Sequence, residues 1–256
     1  MTLDCVKRLP ALELLTSIDQ GSVGAIVMDP PFFISTSRAE GWHENRGMGE
    51  DPWAKNVSNT DAMVAWSLPL AEQALRVLRP GGACVVMGGA HSISAWQVAA
   101  DRAGLVWMAE LTVLWNTGKP RARNFGSLTT TIRWHVKPGS RHAFNAGDQR
   151  AIYSNVVVCT KVHQADRVHP AQKPVELTNF LVSLLTNEGD LVVDPFCGSG
   201  STLVSAAMLD RRYMGGDTDA NYCRVAERRA MRHDLEVAYL KPMYFWVNNR
   251  LEPIEG

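Results

Sequence analysis

Leu191-Val192-Val193-Asp194-Pro195-Phe196-Cys197-Gly198-Ser199-Gly200-Ser201-Thr202 is the stretch whose reading decides the fold. A short, β-branched apolar run ending in an acid reads as a buried parallel strand. Two glycines then turn the chain, and Ser201 to Leu209 reads as a helix. Tyr213 to Gly216 supplies the next strand, ending at Asp217, and Asn221 to His233 a basic helix. The same grammar holds upstream. Gly24 to Met28 is a strand ending at Asp29. Asp61 to Leu78 carries Met63, Trp66, Leu70, Ala74, Val77 and Leu78 at helical spacing and stops at Arg79-Pro80-Gly81-Gly82. Ala83 to Met87, Leu111 to Trp115 and Asn155 to Thr160 read as strands; Ile93 to Ala103 and Pro174 to Thr186 read as helices. Strands alternating with helices predict an α/β fold with a doubly wound, mostly parallel sheet, in one domain over residues 1–256. Phe33 to Thr60 and Gly118 to about Asn155 do not fit the pattern and are expected to be functional loops.

Composition narrows the classes. The chain is 46% hydrophobic and 20% charged, enough apolar material for a core and too much for disorder. It has no apolar run near the ~18 residues of a membrane span. The start, Met1 to Pro10, has no apolar signal core, so a cytoplasmic protein is expected. Cys5, Cys84, Cys159, Cys197 and Cys223 are scattered and odd in number, which suggests neither zinc nor a disulfide framework. The seven His show no metal spacing, so no metal is expected.

The glycine turn opens a helix, where free N–H groups and close backbone approach favour a ligand. It lacks the Gly-Lys-Ser/Thr of a phosphate loop, and Leu203 stands where a dinucleotide site wants a third glycine. Asp194 at the lip repels a pyrophosphate and suits a cationic amine. Asp217, about 20 residues on, stands where an acid holds ribose hydroxyls. Ribose and a cation without pyrophosphate describe S-adenosylmethionine; a plain strand-to-helix turn is the bland alternative. Asp29-Pro30-Pro31-Phe32 ends another strand. Two prolines fix φ and remove two N–H donors, leaving a carboxylate and carbonyls beside an aromatic ring. That acceptor-only array suits the exocyclic amino group of adenine or cytosine.

Taken in order, these motifs resemble those of the β-group amino-methyltransferases of DNA, in which the catalytic motif precedes the cofactor motif. Asp29 to Phe32 matches the first and Asp194 to Gly200 the second; Leu78 to Gly82 and the His169-Pro170-Ala171-Gln172-Lys173-Pro174 segment also match, as does Asp4-Cys5 near the start. The resemblance runs from about Leu3 to Arg232. It implies a Rossmann-like methyltransferase with a small inserted target-recognition region, S-adenosylmethionine as cofactor and double-stranded DNA as partner. Members often pair, so a homodimer is one expected assembly. The implied catalytic residues are Asp29, Pro30, Pro31 and Phe32. The implied cofactor residues are Asp4, Cys5, Asp29, His169, Lys173, Asp194, Phe196, Cys197, Gly198, Ser199, Gly200, Ser201, Thr202 and Asp217. Phe32 departs from the commoner Tyr, which keeps stacking and loses a hydroxyl; Asp217 replaces the more usual Glu.

The implied activity is site-specific methylation of adenine N6, with cytosine N4 as the alternative. Asp29 favours adenine, because the N4 enzymes more often carry Ser there. A silent DNA-binding protein, and methylation of RNA or protein amino groups, are further alternatives. Cytosine C5 chemistry is disfavoured because no cysteine follows a proline.

Lys plus Arg and Asp plus Glu each number 26, yet the charge is uneven. From Lys119 to Lys173 there are ten bases and two acids, an excess of eight, interleaved with aromatic residues. This overlaps the implied target-recognition insert, residues 118–167. Arg121, Arg123, Arg133, Lys137 and Arg141 are the candidate DNA contacts. Residues 33–60, with Trp42, His43 and Trp53, are expected to be a mobile loop closing on DNA. The tail from Asp234 to Gly256 has no counterpart.

Overall fold

The computed structural model describes residues 4–31, 60–116, 128–146, 154–237, 240–247 and 250–254. The elements in order are β1 (Cys5–Arg8), α1 (Ala11–Thr16), β2 (Val23–Met28), α2 (Thr60–Val77), β3 (Leu78–Gly88), α3 (Ala90–Ala103), β4 (Val106–Trp115) and β5 (Thr129–Val136). Then come β6 (Val156–Cys159), α4 (Val175–Leu185), β7 (Leu191–Asp194), α5 (Ser201–Met208), β8 (Arg212–Asp217), α6 (Ala220–Met231), β9 (Tyr244–Val247) and β10 (Arg250–Pro253).

All ten strands share one sheet in the order β1-β8-β7-β2-β3-β5-β4-β6-β9-β10. The first five in that order are parallel, which places the ends of β8, β7 and β2 side by side on one edge. The rest is mixed: β5 runs antiparallel between β3 and β4, and β6 pairs parallel with β4. Strand alternation explains the two cores, since successive side chains face opposite sides. Ile26 and Met28 join Leu14, Ala74 and Trp96 under α1, α2 and α3. Ala25 and Val27 join Leu177, Leu203 and Ala226 under α4, α5 and α6. The sheet is therefore covered on both faces, as the doubly wound reading expected.

Local chemistry sets the helix ends. Met63, Ser67, Leu70, Ala74 and Val77 are buried along α2, a stripe at helical spacing. Gly104 ends α3 at φ +94°, where its N–H caps the Ala100 carbonyl. Asp219 caps α6 by accepting from the Asn221 and Tyr222 N–H groups.

The differences from expectation lie at the chain ends and in the middle. Residues 33–59 lie outside the described residues. The stretch read as a loop to Asn155 contains β5, an inner strand. The tail extends the sheet: β9 pairs antiparallel with β6, and Phe245 is buried with its ring edge-on to Phe180 at 5.8 Å. Among the described residues, no helix is long and apolar enough to cross a membrane, and no group of three or more metal-ligating side chains occurs.

Candidate active site

The carboxyl ends of β2, β7 and β8 deliver Asp29, Asp194 and Asp217 to one cavity of about 1200 Å³. In open parallel sheets the ligand crevice lies at this edge, where strand ends and helix starts diverge. Asp194 is 5% exposed. Burial pushes its carboxyl up to about 7, against the opposing pull of hydrogen bonds from Thr202 and the Phe196 N–H; the charges of Asp29 and Asp217 add to the rise. Asp217 is tied down: Oδ2 accepts from the Gly198 N–H at 3.1 Å, and Oδ1 from the Asp219 N–H at 2.8 Å.

The glycine turn divides its work. Gly198, at φ +48°, lines the cavity with Phe196, Cys197, Ser199, Ser201 and Thr202. Gly200 does not line it. At φ +82°, it would set a Cβ 2.8 Å from the Ala226 Cα of α6. Its value is therefore close helix packing, which only glycine permits in that backbone region. Cys197 is buried, and that burial raises its thiol well above the usual range. It stays protonated at neutral pH.

Two residues from the segment before α4 close the cleft. The His169 ring stands edge-on to Tyr222 at 4.3 Å, over Gly198. Its Nδ1 accepts from the Ala171 N–H, which leaves Nε2 as the protonated nitrogen of the neutral ring. Burial lowers its pKa, more than nearby Asp217 can restore. Lys173 donates from Nζ to Oδ2 of Asp29. The other oxygen, Oδ1, is buried with no hydrogen-bond partner among the described residues. Such an orphan acceptor costs about 1–3 kcal/mol, so its persistence marks a place where a donor belongs.

Sequence reading missed the apolar wall. Leu9, Pro10, Trp66 and Pro69 line the cavity, and Trp66 meets Phe196 at 6.0 Å. The wall follows from register: β1 pairs with β8 so that Arg8 faces Asp217. The same register corrects Asp4 and Cys5. They sit at the opposite end of β1, about 10–13 Å along the strand from that level. Asp4 accepts there from Arg212 Nε and the Tyr213 N–H, so it is removed from the cofactor set. Position within the strand, and not the dipeptide itself, decides what reaches the cleft.

The structure places the expected DNA contacts apart from one another. β5 runs antiparallel to β3, pairing Gly88 with Thr131 and Ala83 with Val136. Lys137 and Arg141 follow at the amino end of β3, away from the cavity. Lys137 Nζ donates to the carbonyls of Arg76 and Leu78, closing the end of α2. Arg133 is bound to Glu110 and Gln97. Phe32, Arg121 and Arg123 lie outside the described residues.

A cleft at the carboxyl edge, walled by a glycine turn and the acids that end three parallel strands, is the arrangement of a Rossmann-like methyltransferase. Residues 23–228 match the DNA methylase family that groups N6 and N4 methyltransferases, and the chain belongs to it. A type II methyltransferase of Streptococcus pneumoniae, M2.DpnII, is 29% identical over 236 residues, 85% of each chain. M.HpaI of Haemophilus parainfluenzae is 25% identical over 237 residues, 86% of this chain and 71% of that one. The cytosine-N4-specific PvuII DNA methyltransferase superposes with a TM-score of 0.70 at 18% identity, covering 91% of this chain and 92% of the other. The M1.HpyAVI complex with S-adenosylmethionine gives 0.64 at 21% identity, covering 88% and 98%. At these identities the two structures speak for the fold. The chain is a DNA amino-methyltransferase, and S-adenosylmethionine is its methyl donor.

Proposed function

We propose that the chain methylates the N6 amino group of adenine in duplex DNA. One observation carries this reading: Asp29, heading two prolines, lines the cavity of the glycine turn, and its buried Oδ1 has no hydrogen-bond partner among the described residues. An acceptor without a donor fits an amino group, which has hydrogens to give. The residues present also fit the cofactor. Asp194 would hold its ammonium, Asp217 its ribose hydroxyls and Gly198 the close approach, with Trp66 and Phe196 as apolar wall. When bound, the cofactor supplies an electrophilic methyl group. The chain binds, orients and accepts. The Asp29 carboxylate and the Pro30 carbonyl would accept hydrogen bonds from the two amino hydrogens, which draws the conjugated lone pair back onto nitrogen; one of these protons leaves as the methyl group is bonded. The target base must first leave the stack, at a few kcal/mol, and Phe32 would receive its face. Holding the amino nitrogen in line accounts for much of the lowered barrier.

Asp at position 29 favours adenine over cytosine. Sequencing the methylated bases in DNA from cells expressing the chain tests this. N6-methyladenine at a fixed site is the expected result; N4-methylcytosine alone overturns the adenine reading and keeps the amino-group chemistry.

Cofactor binding should depend on pH. A cationic ammonium needs Asp194 ionised, and the ligand-free carboxyl titrates near 7. Affinity should therefore fall about tenfold per unit as pH drops below that value, with a proton released on binding below it and none above it. The sign for folding is opposite. Asp194 holds its proton more tightly folded than unfolded, so its contribution to ligand-free stability is lost as pH rises from about 4 to 7. Calorimetry from pH 5 to 8 checks the binding half; an affinity flat across that range refutes the ammonium role.

The DNA path would follow the same edge of the sheet. Trp115 and Cys159 end β4 and β6 there in register, and Lys161 lies over the Trp115 ring at 5.7 Å. Burial and nearby Arg167 both lower the pKa of Lys161. Two cations this close, with no acid paired to either among the described residues, suit phosphates. Replacing Lys161 and Arg167 with Ala should flatten the slope of log affinity against log salt by up to about 2 units, while Arg141→Ala leaves it unchanged. The reverse pattern in a salt titration moves the path to the other end of the sheet.

A further inference from the structure

We infer that Lys173 is a positioning residue that holds Oδ2 of Asp29 and so fixes the orientation of the carboxylate that receives the substrate amino group. The inference rests on the role proposed for Asp29. By sequence pattern Lys173 belongs with the cofactor; its Nζ instead reaches the carboxylate on the base side of the cleft. The lysine is anchored from behind: the Ser201 hydroxyl donates to its carbonyl at 2.7 Å, which ties it to the first residue of α5. The next residue, Pro174, stands at the N-cap of α4. The two side chains are 14% and 19% exposed, so water competes weakly for the pair. A charge-assisted hydrogen bond is short and directional in such surroundings.

A carboxylate free to turn about Cβ–Cγ offers either oxygen at a range of angles. Lys173 removes that freedom by fixing one oxygen, which sets the plane of the group; the other oxygen is buried, with no hydrogen-bond partner among the described residues. It also sets a positive charge among Asp29, Asp194 and Asp217, which share the cavity with Asp219 and Arg8.

The test uses the full chain with S-adenosylmethionine and a duplex carrying the methylated site. Lys173→Met should leave cofactor affinity within about threefold of wild type, while single-turnover methyl transfer at saturating cofactor and DNA falls about 10²-fold. In an Asp29→Asn background the same change should add little, because the carboxylate to be oriented is gone. Cofactor affinity lost tenfold or more with an unchanged rate at saturation, by the same reckoning, makes Lys173 a cofactor ligand and overturns the inference. A wild-type rate, or an equal fall in both backgrounds, overturns it too. If Lys173→Met does not fold, Lys173→Gln goes through the same measurements. A wild-type rate in Asp29→Asn alone is a separate outcome, one that removes the proposed role of Asp29 itself.

Discussion

Asp29→Asn is expected to lower methyl transfer at least about 10²-fold, the scale on which removing one electrostatic partner of a transition state is felt. Asn keeps the volume and one carbonyl oxygen but loses the charge that draws the amino hydrogens. It also removes the anion that pairs with Lys173, and either amide orientation leaves a weaker acceptor. Alanine is the poorer test, because it strands a half-buried lysine and mixes a folding defect with a chemical one. Cofactor affinity should stay near wild type, since the glycine turn, Asp194 and Asp217 sit on other strands. Single-turnover rates beside cofactor titrations decide the matter. A variant keeping more than about a tenth of the wild-type rate contradicts the mechanism.

Gly200→Ala should be the most damaging small change in the cofactor half, costing about 3 kcal/mol or more of stability. The residue sits at φ +82°, a region that side chains disfavour, and the added methyl meets backbone and not a movable side chain. Ala226 belongs to α6, so relief requires α5 and α6 to part or the turn to flatten. Flattening would pull Gly198 off Asp217 and deform the cleft. Thermal melting and cofactor calorimetry on the same variant measure both effects. An unchanged melting temperature with unchanged affinity contradicts the packing role assigned to this glycine.

Much of the site was legible because its parts are local. The runs ending at Asp29 and Asp194 are apolar, short and bounded by Pro or Gly, so strand, breaker and helix can be read without neighbours. Composition and spacing also carried the doubly wound sheet, since alternating apolar periods admit few other packings. The class of reaction rested on the order of the motifs, and the family match agrees with it.

Other features exist only in three dimensions. Thr129-Thr-Thr-Ile-Arg-Trp-His-Val136 has a polar, basic look and reads as loop; it is a strand because β3 and β4 offer it partners on both sides. Asp4-Cys5 matches a motif by identity, but the register of β1 on β8 sends Arg8, Leu9 and Pro10 to the cleft instead. Charge counting found an excess of bases and could not sort them, because strand direction puts Lys161 on one edge of the sheet and Lys137 near the other. Lys173 and Asp29 stand 144 residues apart, and no local period predicts that they meet. The sequence by itself determined the elements, the fold class and the kinds of chemistry carried. Only the tertiary structure decided which oxygen of Asp29 is held, because that depends on where two distant strand ends and a helix start converge.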